Sequence, residues 1–201
     1  RNSKLRKKKY KFYRCDRGSR SGGGVLIAFA DYLVSLHVDL ACPLELVCVS
    51  VRLHNKDALV CACYRPPNVP AGFSSDLYDA LDMLHVWFPA SHIILLGDFN
   101  FPDIHWNLPS TLPGSCNSES TSFINTCLEF NLSHLVDSPT RITSTRSTIL
   151  DLVFTNNPDL IQFLSVVPGL SDHSAIHFLV PNTPSKISKT TKIIRDYGRA
   201  D

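Results

Sequence analysis

The order of strand-like and helix-like segments predicts an α/β or α+β domain with at least two packed layers. Short apolar runs with the two-residue rhythm of strands flank the chain's clearest helical segment. A second helical segment lies between further apolar runs. The 201 residues are 44% hydrophobic, enough for one sizeable core.

The first strand follows a turn in "SGGGVLIAFA", where glycines supply free backbone angles. "ELVCVSVRL" places Val47, Val49, Val51 and Leu53 on one face, "HNKD" is a turn, and "ALVCACYRPP" is the return strand. Its prolines end the pairing, because they have no N–H to give a ladder. "SSDLYDALDMLHVWF" is a helix: Ser74 or Ser75 caps it, acids follow, and Leu77, Leu81, Leu84 and Phe88 recur at helical spacing until Pro89. "SHIILL" is short and uninterrupted, as a strand buried on both faces would be. A loop rich in Pro, Ser and Asn spans about 101 to 118, and a second helix, "SESTSFINTCLEFN", follows it. "STILDLVFTN", "LIQFLSVV" and "SAIHFLV" are three more strands.

Charge divides the chain into three parts. Ten of the 20 Lys and Arg residues fall in positions 1–20 and five after 183, leaving five against 15 acids in the body. Residues 1–20 read as a solvated basic tail that can attract phosphate, 21–181 as the domain, and 182–201 as a basic linker. No apolar run is long enough for a membrane helix, and no secretory signal is present, which argues for an intracellular protein. The seven cysteines are odd in number and mostly sit in apolar runs, as reduced, buried thiols do; no CxxC pair points to zinc.

"LLGDFNFPDIHW" carries the first chemical signal. In an extended segment Asp98 and Asn100 share one side while Phe99 faces the core, and Gly97 permits close approach of another backbone or ligand. An amide can donate to phosphate; a carboxylate can hold a metal or move a proton. A turn with Asp and Asn is commonplace, so this pair alone decides nothing. Three other stretches repeat the pattern: Tyr64 ends a strand, Asp151 interrupts an apolar one, and Asp172 and His173 precede the last. A buried Asp151 needs a partner, and a histidine would serve, its tautomer fixed by the carboxylate.

In their order, "YRPPN", "LLGDFNFPDIHW", "SPTR", "ILDLVFTN" and "LSDHSAIHF" resemble the endonuclease/exonuclease/phosphatase superfamily. More narrowly, they resemble the apurinic-type endonuclease domains of non-LTR retrotransposons of the Jockey and chicken-repeat kind. "SGGGVLIAF", "LELVCVSVRL" and the closing "RDYGRAD" extend the likeness over about residues 21 to 201. The resemblance implies a four-layer, DNase I-like α/β sandwich and phosphodiester hydrolysis with Mg²⁺ or Mn²⁺. It implies DNA as partner, a reverse transcriptase fused downstream, a nuclear location, and nicking that primes reverse transcription. Asp98 would serve the leaving oxygen or orient the nucleophile, and Asn100 and Tyr64 would bind phosphate. Asp172 would help hold the metal, and His173, oriented by Asp151, would polarise water or contact phosphate. Arg65, Asn68, Arg141, Thr143 and Thr145 lie in loops that could reach a nucleic-acid backbone.

One departure bears on activity. Members of the superfamily begin with a strand carrying an asparagine and a second carrying a glutamate that is the main metal ligand, and no glutamate here precedes Glu45. The expectation is a domain lacking its first strands, with a weakly held metal. Two further functions therefore stand beside nicking: an inactive remnant that at most binds nucleic acid, and a phosphatase of the same superfamily.

Overall fold

The computed structural model describes residues 9–17, 23–53, 56–68, 71–106, 117–169 and 171–181. Residues 1–8 of the basic tail, 107–116 of the polar loop and the linker 182–201 lie outside this range. The chain opens with β1 (Tyr10–Cys15), β2 (Val25–Ala30), β3 (Ser35–Val38), β4 (Glu45–Leu53) and β5 (Lys56–Tyr64). Helix α1 (Phe73–Trp87), β6 (His92–Asp98) and α2 (Ser118–Glu129) follow. The short β7 (Ser133–His134), β8 (Arg141–Ile142) and β9 (Ser147–Thr148) lead to β10 (Asp151–Thr155). β11 (Gln162–Val167) and β12 (Ala175–Leu179) close the domain.

A six-stranded mixed sheet, in the order β3-β4-β5-β6-β10-β7, forms the centre. Its strands are apolar on both faces because both are covered. One face gives Cys48, Leu59, Cys61, Cys63, Ile93 and Leu95 to a core shared with both helices. The opposite face gives Val47, Val49, Val51, Ala58 and Ile94, all at most 4% exposed. β4 was expected to bury one face, with Val47, Val49 and Val51; Cys48, 1% exposed on the other, shows that it buries both. Cys61 and Cys63 share the helix face and serve as core packing, as their alternation implies.

Leu77, Leu81 and Leu84 carry α1 onto the sheet, each at most 1% exposed. Such burial stabilises by about 1.5–3 kcal/mol per side chain. The cap differs from the expected one. The N-cap residue is Gly72, with φ 115°, and no side chain of its own caps the helix. Glu119 of α2 does so instead: its carboxylate accepts from Ser74 N at 2.8 Å, Ser74 Oγ at 2.7 Å and Gly72 N at 3.3 Å. Ser74 is buried because it joins the two helices. A carboxylate from another element thus meets the free N–H groups of the first turn.

The far face of the sheet carries two separate antiparallel ribbons, β1–β2 and β11–β12. Part of the stretch read as a solvated basic tail is therefore a strand: Tyr10–Cys15 pairs along its whole length with Val25–Ala30. Alternation explains it, since Tyr13 and Cys15 turn inward while Phe12 and Arg14 face solvent, and the Tyr13 hydroxyl donates to Ser35 O at 2.9 Å. Between the ribbons lies an apolar cavity of about 540 Å³, lined by Phe29, Leu33, Val51, Ile94 and Val180 among others. Among the described residues no helix is long and apolar enough to cross a membrane.

Five phenylalanines, Phe73, Phe99, Phe101, Phe123 and Phe154, pack edge-on and stacked between sheet and helices, with centroids 4.6–6.5 Å apart. Beside them His134 stacks on Trp106 at 4.2 Å, and neither of its ring nitrogens has a partner among the described residues. Burial pulls His134 down to about 4, so the folded protein holds it neutral. The unfolded chain takes up this proton near pH 6.5, so its contribution is complete above 6.5 and is lost as pH falls toward 4. At pH 4 the loss should reach about 3 kcal/mol. Denaturant titrations at pH 7 and pH 4.5 check this: His134→Phe should abolish most of the acid-induced loss, and an unchanged pH profile would refute the assignment.

Candidate active site

The pairing register lines up four side chains at one edge of the central sheet. Glu45 of β4 lies opposite Tyr64 of β5, Tyr64 beside Asp98 of β6, and Asp98 opposite Asp151 of β10. Residues in register point to the same face. That face is the one covered by the ribbons, because Glu45 shares parity with Val47 and Val49, and Asp98 with Ile94. Each ribbon then delivers one more group. His173, just before β12, brings Nδ1 to 2.8 Å from Asp151 Oδ2. Arg17, just after β1, reaches Glu45 with Nε 2.7 Å from Oε1.

Two glycines allow these approaches. Gly97 has φ 146°, and an added Cβ would overlap the Cys63 carbonyl oxygen of the neighbouring strand. This is why the apolar run "HIILL" ends in glycine one residue before Asp98. An added Cβ on Gly169 would likewise overlap the His173 carbonyl oxygen.

Asp98, Asp151 and His173 form a cluster whose ligand atoms all lie within 4.8 Å of one another. Burial, and next the charge of Asp151, push the Asp98 carboxyl above its usual range. A divalent cation would relieve that strain between two carboxylates, and their oxygens are the hard donors it takes. The donor set therefore fits a metal held by Asp98 and Asp151. It also fits a dyad: carboxylate oxygens only accept, so the His173 Nδ1 proton points to Asp151 and Nε2 is left basic.

Other expected residues fall differently. Asn100 was expected to share a side with Asp98 through strand alternation, but the strand ends at Asp98 and Asn100 turns with φ 46°. Its side-chain Nδ2 donates to Arg65 O at 2.9 Å, and its backbone N donates to Asp98 Oδ1 at 3.2 Å. Arg65, expected in a loop facing nucleic acid, is 8% exposed. Its Nη1 donates to Asn100 O at 2.9 Å and its guanidinium carbon sits 4.1 Å above the Phe101 ring. Arg65 is thus a brace for the Asp98–Phe101 turn; the prolines after it end the strand but leave its side chain in the core.

Asp172, expected to hold metal, lies outside the cluster: its Oδ2 accepts from Arg141 Nε at 2.9 Å, which holds the carboxyl below its usual range. Asp151 opens β10 instead of lying within it, which leaves its carboxylate 22% exposed at the sheet edge. Arg141 pairs by a backbone bridge with His173, so the β8–β9 hairpin abuts the cluster. At its tip Thr143 and Thr145 are exposed, with the Thr143 hydroxyl bonded to Arg146 N and O. Asn68 is exposed in a turn after β5. Arg17 and Glu45 were not anticipated. Their signal was Glu45 itself, an acid at the start of an apolar strand whose hairpin partner is Tyr64.

A mixed sheet flanked by helices on one side and antiparallel ribbons on the other, with a carboxylate–imidazole dyad at its strand ends, has the DNase I-like plan. Solved structures share it. The chain is similar to the endonuclease domain of TRAS1, a telomere-specific non-LTR retrotransposon, at 16% identity and TM-score 0.64, over 85% of this chain and 80% of that one. It is similar to an endonuclease/exonuclease/phosphatase family protein from Leptotrichia buccalis at 14% identity and TM-score 0.59, over 88% and 73%. It is also similar to D. rerio TDP2 complexed with a single-strand DNA product, at 12% identity and TM-score 0.50, over 84% and 76%. No curated protein matches the chain. The class is thus the endonuclease/exonuclease/phosphatase superfamily. Within it, the chain belongs to the Endonuclease-reverse transcriptase family, whose sequence profile matches residues 58–177.

A carboxyl raised in the fold makes stability fall as pH rises through its unfolded value, so ionised Asp98 destabilises the neutral protein. Asp98→Asn should therefore raise Tm at pH 7 and give no gain below about pH 4. Mg²⁺ or Mn²⁺ should raise the Tm of the wild type and leave that of the variant unmoved. Thermal melts read both, and a lower Tm for Asp98→Asn at pH 7 would count against the charge crowding.

Proposed function

We propose that this domain is a divalent-metal-dependent DNA phosphodiester hydrolase that nicks a target strand to prime reverse transcription. The observation that carries the reading is His173 Nδ1 at 2.8 Å from Asp151 Oδ2, with Asp98 in the same cluster. His173, its tautomer set by Asp151, accepts the proton of an attacking water through Nε2. The water oxygen bonds to phosphorus, one P–O ester bond breaks, and the leaving oxygen must take a proton. Solvent supplies it, because Asp98, which would hold the cation with Asp151, is then ionised and has no proton to give. Asn100 and the Tyr64 hydroxyl are the donors we assign to the phosphate oxygens. A cation on Asp98 and Asp151, Mg²⁺ or Mn²⁺, would supply charge neutralisation for the phosphate.

The rest of the setting follows the family. The substrate is duplex DNA in the nucleus, and the domain works within a polypeptide that also carries reverse transcriptase. DNA at the cluster would lie against the β8–β9 hairpin, within reach of Arg141, Thr143 and Thr145, with Asn68 as a further backbone contact.

A supercoiled plasmid with Mg²⁺ provides the test. The wild type should convert it to the open circle, and Asp98→Ala and His173→Ala should each slow this by about 10²–10⁴-fold. Nicking that survives both substitutions overturns the site. Salt-sensitive, metal-independent binding without nicking would instead establish a binding remnant.

A further inference from the structure

The β1–β2 ribbon turns one side to the central sheet and the other to solvent. Its Cys15 end is anchored by Arg17 and by Gly24 N, which both donate to the Glu45 carboxylate. Tyr13 and Cys15 point inward along β1, so Tyr10, Phe12 and Arg14 share the outer side. The register sets Ala30, Ala28 and Leu26 of β2 opposite them. This outer side is apolar where a solvated ribbon would be polar: Tyr10 is 48% exposed, Phe12 65% and Leu26 56%. The alanines opposite the two rings are too short to cover them. The ring centroids lie 6.4 Å apart at a tilt of 42°, so neither ring hides the other. The charge around them is of one sign. From Lys4 to Arg14 the sequence carries seven cations and no acid. Arg14 meets Asp16 at 3.0 Å, with both side chains 67% exposed, a contact that water and salt weaken.

We propose that the outer face of the β1–β2 ribbon binds single-stranded nucleic acid, RNA or DNA, with unpaired bases stacked on Tyr10 and Phe12. Lys9, Arg14 and the basic residues that precede them in the chain meet its phosphates. The occupant follows from the two features together. Exposed rings on a flat strand call for a ligand with flat apolar faces, and the cations call for a polyanion. A duplex carries the phosphates but hides its base faces within its own stack; a single strand offers both. The six residues of β1 span about 20 Å, room for more than one base. This face is distinct from the Asp98, Asp151 and His173 cluster, which lies at the strand ends on the other side of the ribbon. The inference goes beyond the nuclease reading and does not require it.

Fluorescence anisotropy of labelled oligothymidylate and oligouridylate, each about ten nucleotides long, tests it with the 201-residue chain in the absence of metal. The wild type should bind at least one of them, and the tighter of the two tells whether the face prefers DNA or RNA. Tyr10→Ala and Phe12→Ala should each weaken that binding by about tenfold. Phe12→Trp should bind at least as tightly as the wild type, whereas Phe12→Leu, equally apolar but without a π-face, should lose as much as alanine. The slope of affinity against salt should be the same in Phe12→Leu as in the wild type, because no charge is removed. Plasmid nicking in Mg²⁺ should be unchanged in all four variants. A wild type that binds neither oligonucleotide, a Phe12→Leu protein that binds like the wild type, or a loss of nicking that tracks the loss of oligonucleotide binding would each overturn the proposal. These substitutions are at exposed positions, so melting temperatures should match the wild type; Phe12→Trp supplies a test by gain that misfolding cannot mimic. A wild type that binds the oligonucleotides and does not nick refutes the nuclease reading alone.

Discussion

The pairing register of β4, β5, β6 and β10 is the constraint on which the site depends. It sets Glu45, Tyr64, Asp98 and Asp151 opposite one another in neighbouring strands. A slip of one residue in any pair would turn that strand's end group to the helix side. The apolar residues forbid such a slip. Val47, Val49 and Val51 would trade faces with Cys48, and the small sulfur-lined surface over which α1 packs would be lost. The core therefore fixes the chemistry at the edge.

Charge at that edge is arranged in alternation. Three carboxylates stand in a row with one phenol, and each outer member has a nitrogen partner brought by a ribbon: Arg17 for Glu45 and His173 for Asp151. Asp98, between them, has no ribbon nitrogen bonded to it among the described residues. It accepts the Asn100 N–H at 3.2 Å, and its carboxyl is pushed up by burial and by Asp151. The group with the least compensation is the one most ready to receive a cation or a proton. Its destabilisation is tolerated because the turn after it is braced independently, by Arg65 on Asn100 O and by Phe99 and Phe101 in the aromatic cluster.

Much of this was legible in the sequence. The apolar runs and the helical leucines gave the strands and helices, because periodicity reports burial directly. Tyr64, Asp98, Asp151 and His173 were identifiable because polar residues at the ends of apolar strands need a reason to be there. What escaped the sequence depended on partners distant in the chain. Arg65 reads as a loop cation next to two prolines, and only the Phe101 ring and the Asn100 carbonyl show that it is buried. Asp172 reads as a ligand beside His173 until Arg141, thirty-one residues upstream, claims it. Asn100 escaped because alternation was carried one step beyond the strand's end, where the backbone turns left-handed. β1 was hidden by the basic residues in and around it, although alternation turns Tyr13 and Cys15 inward and Phe12 and Arg14 to solvent.

The two ribbons explain how one site can join such distant segments. Neither ribbon pairs with the central sheet or with the other; each lies on its face. Their positions are thus set by side-chain packing and a few polar ties instead of a shared ladder. For the first ribbon the ties are Tyr13 to Ser35 and the double grip on Glu45; for the second they include Arg141 with Asp172 and His173 with Asp151. Two of these four ties lie in the row of end groups itself. The contacts that build the site are also contacts that seat the ribbons, so loss of Glu45 or Asp151 removes a chemical group and loosens an element together. Separating the two effects requires variants that keep the tie and change the chemistry, which is why lysine for arginine and asparagine for aspartate are more informative here than alanine.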